Sequence, residues 1–151
     1  MSQKIEELKE LFIRDLERLE SELTLIDGNH LWETSPGIVN SVGVLTQHIV
    51  GNLNHFIGTA LGNTEYIRNR EKEFTETGIS AEKLINDVNE TSDMVVHVFS
   101  GLKNEDLNKP YPMDIPMDYS IHKFLLHLYG HLIYHLGQVN YLRRILSKNE
   151  S

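Results

Sequence analysis

No cysteine occurs in this chain. Disulfides, a thiolate nucleophile and cysteine-ligated metals are thereby excluded, and any thiol chemistry must use a thiol brought by a substrate. Positive charge is scarce as well: 14 Lys and Arg stand against 22 Asp and Glu, a formal net charge of -8, and no basic cluster with interleaved aromatics occurs. An acidic surface repels phosphate backbones, so the composition predicts no nucleic-acid partner. Long apolar runs are missing too, and none approaches the roughly 20 residues of a membrane span, which predicts no membrane partner. The start of the chain, Met1-Ser2-Gln3-Lys4-Ile5, is charged and amphipathic rather than a signal peptide, so the cytoplasm is the expected location. Proline is rare, but three of the four stand within seven positions, at 110, 112 and 116. That segment cannot be helical and is predicted to run extended.

What is present is helical periodicity. The 151 residues suffice for one domain with a core and are too few for two, so 1–151 is read as a single domain. From Ile5, the residues Leu8, Phe12, Leu16, Leu19, Leu23 and Ile26 recur at threes and fours with charged residues between them, predicting a first amphipathic helix. Asp27-Gly28-Asn29 ends it, and 30–39 reads as a loop in which Trp32 packs over a bundle end. Asn40-Ser41 can cap a second helix running to about Leu61. Its glycines at 43, 51, 58 and 62 read as a packing face, in the core or between subunits. Residues 63–79 are polar and read as a solvated loop, with Arg68 and Arg70 as secondary candidates for binding a substrate carboxylate. Ser80 opens a third helix ending near Gly101, and Asp118 or Ser120 opens a fourth ending near Leu146. The simplest architecture is an all-α four-helix bundle with long connections.

The chemistry-bearing residues fall on two of these helices. His127, His131 and His135 are spaced by four, so their side chains form a row along one helix face, and two neighbours in such a row can each place a ring nitrogen on one metal ion. A third ligand must come from elsewhere. His48, Asn52 and His55 share a face of the second helix, and His48 is the natural candidate if the two helices lie together. Polar or half-buried histidines of an ordinary helix are the competing reading.

Two segments, Ser41-Val-Gly-Val-Leu-Thr-Gln-His48 and His131-Leu-Ile-Tyr-His135-Leu-Gly137-Gln138, together resemble the DinB-like superfamily of four-helix bundles, which includes metal-dependent thiol transferases. The likeness extends through the Trp32 to Pro36 loop and the Glu73-Phe74 pair, and is closest to an uncharacterised branch. It implies that His48, His131 and His135 are the metal ligands. His127, Asn52, His55 and Gln138 are then expected behind the ligands or lining the pocket, with Asp114 and Asp118 as further acceptors. Leu136 stands where relatives often carry an arginine, so their substrate need not be shared. By the same resemblance to bacillithiol-type transferases and mycothiol-dependent isomerases, the expected activity is metal-assisted attack of a low-molecular-weight thiol, or of water, on an electrophilic small molecule. Zinc is the first choice, with nickel, iron or manganese open. A homodimer is expected from the glycine-rich helix and family habit. A non-catalytic, dimeric metal- or ligand-binding bundle is the alternative.

Overall fold

A computed structural model describes residues 2–148. Among them the chain is an all-α bundle of helices α1 (Gln3–Leu25), α2 (Val42–Leu53), a short α3 (Arg70–Thr75), α4 (Ala81–Gly101) and α5 (Ile121–Lys148). Each long helix begins where a serine can accept from an amide that the helix leaves unpaired. The Ser41 hydroxyl accepts from Val44 N at 3.1 Å, Ser80 from Lys83 N at 3.2 Å and Ser120 from Lys123 N at 3.1 Å.

Helix α1 packs on α4 and α5, and α2 packs on α3, α4 and α5, so the site-bearing helices α2 and α5 are neighbours. The apolar stripes meet in one core, with Phe12, Leu16, Leu19, Ile49, Ile57, Val95, Phe99, Leu132 and Val139 sealed from solvent. Phe12 is held edge-on between Phe99 of α4 and Tyr129 of α5, at ring-centre distances of 5.6 and 5.4 Å.

Two carboxylates that the sequence places among the solvated charges of α1 are buried. Asp15 is fully enclosed; it accepts from the Tyr129 hydroxyl at 2.6 Å and from Arg14 and Arg18. Two turns on, Glu22 accepts from Asn140 at 2.7 Å and pairs with Arg143. The contacts with Tyr129, Asn140 and Arg143 tie α1 to α5. Burial alone would raise the Asp15 carboxyl, but hydrogen bonds from Arg14 and Tyr129 and the charge of the two arginines hold it below its ordinary value. The folded state therefore takes up this proton less readily than the unfolded chain, so the stabilisation is complete above the ordinary value of 3.8 and is lost as pH falls below it. Thermal melts taken from pH 5 down should fall more steeply for the wild type than for Asp15→Asn; parallel curves would contradict this.

Helix α2 departs from the periodic reading at its end. After Leu53 the chain widens into a π-helical turn, Asn54–Thr59, before closing with Ala60–Gly62. The Asn54 amide donates to Val50 O at 2.8 Å and to Thr91 Oγ1 of α4 at 2.9 Å, which pins the widened turn. Asn63 then leaves the helix in the left-handed region, at φ 50.

The proline-rich connection holds no helix between Pro110 and Ser120, as its composition requires, but it does not run extended: it bends at 112–113 and 116–117 and folds back on itself. It is closed by an isolated antiparallel bridge between Pro110 and Ser120, with Tyr111 N donating to Tyr119 O at 3.0 Å. Tyr111 packs on Phe124 at 4.2 Å and donates its hydroxyl to Phe56 O at 2.6 Å, so the segment lies against the end of α2.

Candidate metal centre

Three of the eight histidines converge. His48 of α2 and His131 and His135 of α5 each offer one ring nitrogen, and these atoms all lie within 4.8 Å of one another. His48 Nε2 and His135 Nε2 each stand 3.1 Å from His131 Nε2. Two imidazole nitrogens on one tetrahedral zinc stand about 3.3 Å apart, given zinc to nitrogen distances of about 2.0 to 2.1 Å. His48 is buried, and the pair on α5 is half-buried.

What lies behind the rings decides which way their lone pairs face. His48 Nδ1 stands 3.0 Å from the Glu73 carboxylate, an acceptor only, so this nitrogen carries the proton and donates. His135 Nδ1 stands 2.7 Å from Gln138 Oε1 and donates in the same way. In the neutral tautomers so fixed, both Nε2 atoms turn a bare lone pair toward His131 Nε2. One N–H on His131 can satisfy only one of them. A cation among the three nitrogens satisfies all, so the donor set fits a divalent metal.

Electrostatics keep the two imidazoles of α5 neutral. Burial first, then the neighbouring His135, His48 and His127, push His131 down to about 4. Burial also lowers His135, against a smaller opposing effect of its bond to Gln138. At neutral pH these nitrogens are free of the protons that would compete with a metal.

Glu73 is the residue to which sequence reasoning, though it noted the Glu73-Phe74 pair, gave no role at the site. The 63–79 segment is a solvated loop by composition, yet it holds α3, capped by Asn69, and presents Glu73 to α2. Glu73 is buried, and the Arg68 guanidinium donates to both its oxygens, at 2.8 and 3.0 Å. Burial alone would raise this carboxyl; the hydrogen bonds from His48 and Arg68 outweigh it and hold it below its ordinary value. Arg68 thus supports the site from behind, and its side chain is only 12% exposed. Arg70 is exposed and lies over the Phe74 ring at 5.1 Å, while Phe74 covers the His48 ring at 4.8 Å. The Glu73-Phe74 pair was the available signal, since six helical residues carry no readable period.

Gly51 makes room for this arrangement. A β-carbon there would collide with the Glu73 carboxylate, as one on Gly43 would collide with the Trp32 ring. These two glycines of α2 therefore serve packing within the chain. Gly51→Ala should lower stability by about 1 to 3 kcal/mol in urea unfolding, although alanine ordinarily favours a helix by about 1 kcal/mol. An unchanged or raised stability would contradict the packing.

The other expected residues lie outside the triad. His127 is exposed and stacks on Phe124 at 5.5 Å, although it continues the row on α5. His55 lies on the π-helical turn against Phe56. Asn52, one turn beyond His48, is buried, and its Oδ1 has no hydrogen-bond partner among the described residues. Asp114 and Asp118 are exposed.

Similar folds occur in solved structures. A conserved protein from Enterococcus faecalis superposes with a TM-score of 0.78 at 16% identity, covering 95% of this chain and 96% of its own. The colibactin self-resistance protein ClbS, in complex with a dsDNA, gives a TM-score of 0.63 at 16% identity over 91% of this chain and 94% of its own. Both are consistent with the DinB-like helical fold that the sequence resembles; neither names that superfamily. The second corrects the expectation that nucleic acid is no partner, because a protein of like fold is found with duplex DNA. Net charge alone does not exclude such a partner, because it averages the whole surface, whereas a duplex meets one face. Among the described residues no helix is long and apolar enough to cross a membrane. No curated protein matches in sequence. A family model matches residues 2–151, and the chain belongs to that family, described as a protein of unknown function (DUF1572).

Proposed function

We propose that this chain is a divalent-metal-dependent enzyme of the DinB-like superfamily in which His48, His131 and His135 hold the ion, zinc before nickel, iron or manganese. The observation that carries this reading is the pair of Nε2 lone pairs turned inward on His131 by Glu73 and Gln138. When bound, such an ion supplies a Lewis acid that lowers the pKa of a thiol or water near neutral pH. Three protein ligands leave a coordination position open, the pattern of a reactive site.

The chain's own part is orientation and exclusion of water. Arg68 and Glu73 fix the His48 ring, Gln138 fixes that of His135, and Phe74 covers the side toward α3. On this reading the substrate approaches from the opposite side, along α5. In the reaction proposed, the sulfur of a low-molecular-weight thiol forms a bond to an electrophilic carbon, the leaving group departs with its electron pair, and the thiol proton passes to solvent. Water attacking the same carbon is the hydrolytic variant.

Turnover of 1-chloro-2,4-dinitrobenzene with a panel of thiols, by zinc-loaded wild type and by His48→Ala, tests the reading. Chloride release lost by a hundredfold or more in the variant supports it. Zinc bound without histidine-dependent turnover favours the non-catalytic alternative. The neighbour found with dsDNA adds a second reading, that this chain meets duplex DNA. Anisotropy of a labelled duplex tests it, and binding that weakens steeply from 50 to 200 mM salt supports it.

A further inference from the structure

An apolar groove of about 620 Å³ lies along α5, next to His135. One wall is the Gly37 to Asn40 connection with Leu45, three residues before His48 on α2; the other is the 134–145 stretch of α5. No charged side chain lines it. Ten large apolar side chains are exposed among the described residues, and five of them, Ile38, Val39, Tyr134, Tyr141 and Ile145, line this groove. Val39 is 88% exposed and Tyr141 68%, a cost in water that asks for an occupant.

The groove adjoins the candidate centre at His135, on the side of its outward Nδ1. Tyr134 lines it and lies against the His135 ring at 5.2 Å. Gln138 lines it too, and its carbonyl accepts from His135 Nδ1. The Gln138 amide nitrogen makes no hydrogen bond among the described residues, so it is a donor at the end of the groove nearest the histidines. The volume lies within the range of small-molecule sites, which are typically apolar with a few placed polar groups.

Resting on the metal reading above, we propose that this groove binds the body of the substrate, a neutral, largely hydrocarbon or aromatic molecule with one hydrogen-bond acceptor directed at Gln138. The acceptor end then lies beside the triad, and the apolar body lies between Val39 and Tyr141. The end of the groove at Gln138 has no charged lining, the cations Arg144 and Lys148 standing in an adjoining recess beyond Tyr141 and Ile145, and the naked lone pair of a ketone, ester or ether oxygen matches the Gln138 amide.

The test uses prodan, a neutral naphthyl ketone whose emission moves to the blue in apolar surroundings, with chelator-treated and zinc-loaded full-length protein. Wild type should bind it with blue-shifted emission in both forms. Tyr141→Asp and Val39→Asp, both at exposed positions, should each weaken binding tenfold or more, while Leu126→Asp, exposed elsewhere on α5, should leave it within twofold. Thermal melts of the three variants check that each is folded. No blue-shifted binding to wild type, or binding that survives both groove variants, overturns the proposal. So does a sedimenting dimer that Tyr141→Asp dissociates, since a second copy then covers the face. Zinc titration of the same samples reports on the metal separately, so either reading can fail while the other stands.

Discussion

His131→Ala is expected to weaken zinc binding by about a hundredfold to nearly a thousandfold. Zinc held by four protein ligands is worth about 10 to 16 kcal/mol, so one ligand accounts for roughly 2.5 to 4, and each 1.4 kcal/mol is tenfold. His131 is the central residue of the triad, with the other two Nε2 atoms each 3.1 Å away, so no rearrangement of His48 and His135 alone replaces it. The metal-free protein should tolerate the change well, because the half-buried imidazole is already neutral and its removal leaves no unpaired charge. Wild type at a thousandfold excess of zinc over its dissociation constant gains about 4 kcal/mol, a rise in Tm of roughly 10 °C. That rise should shrink to a few degrees or less in His131→Ala, while the two proteins melt within a few degrees of each other in chelator. An equal zinc-induced rise in both would contradict the assignment.

Glu73→Ala is expected to have the largest effect on stability of any single change at the site. It leaves the Arg68 guanidinium and the His48 ring without their shared partner, and breaking a buried ion pair from one side costs about 3 to 5 kcal/mol. A fall in Tm of roughly 10 °C in chelator follows. Loss of the carboxylate behind a ligating histidine also costs about 10- to 100-fold in metal affinity. The two effects can be separated. Removing both charges with Arg68→Met and Glu73→Met should recover much of the stability, since an apolar pair of similar volume replaces a costly desolvated one. Zinc affinity should stay low, because nothing then holds the His48 tautomer. Recovery of both would make Glu73 a packing residue only; recovery of neither would show that the pair is needed for the local fold.

The site was legible where periodicity and residue chemistry coincide. His131 and His135 lie four apart on a long helix, and His48 lies on another, so their meeting required only that α2 and α5 be adjacent. The Ser80 cap was legible for the same reason, since it precedes an apolar period, whereas Asn40 competed with Ser41 and Asp118 with Ser120 until the structure showed both serines accepting. His127 was misleading because spacing fixes the face of a helix but not the ring's neighbour, and Phe124 offers it a stacking partner instead. Glu73 was hidden because α3 is too short to show a stripe, and its partner Arg68 lies in extended chain. Asp15 and Glu22 were hidden by the opposite effect. They sit within a strong apolar stripe, where an acid reads as solvated unless its partners on α5, Tyr129, Asn140 and Arg143, are already in place. The π-helical turn depends on Asn54 reaching Thr91, 37 positions away, and no local pattern announces it.

The most direct test of the account is a crystal structure grown with zinc and measured on either side of the zinc absorption edge. The account predicts one strong anomalous peak between His48, His131 and His135, about 2.0 to 2.1 Å from each Nε2, with Glu73 and Gln138 still bonded to the outward nitrogens. No peak there, or zinc bound only elsewhere on the molecule, would contradict it.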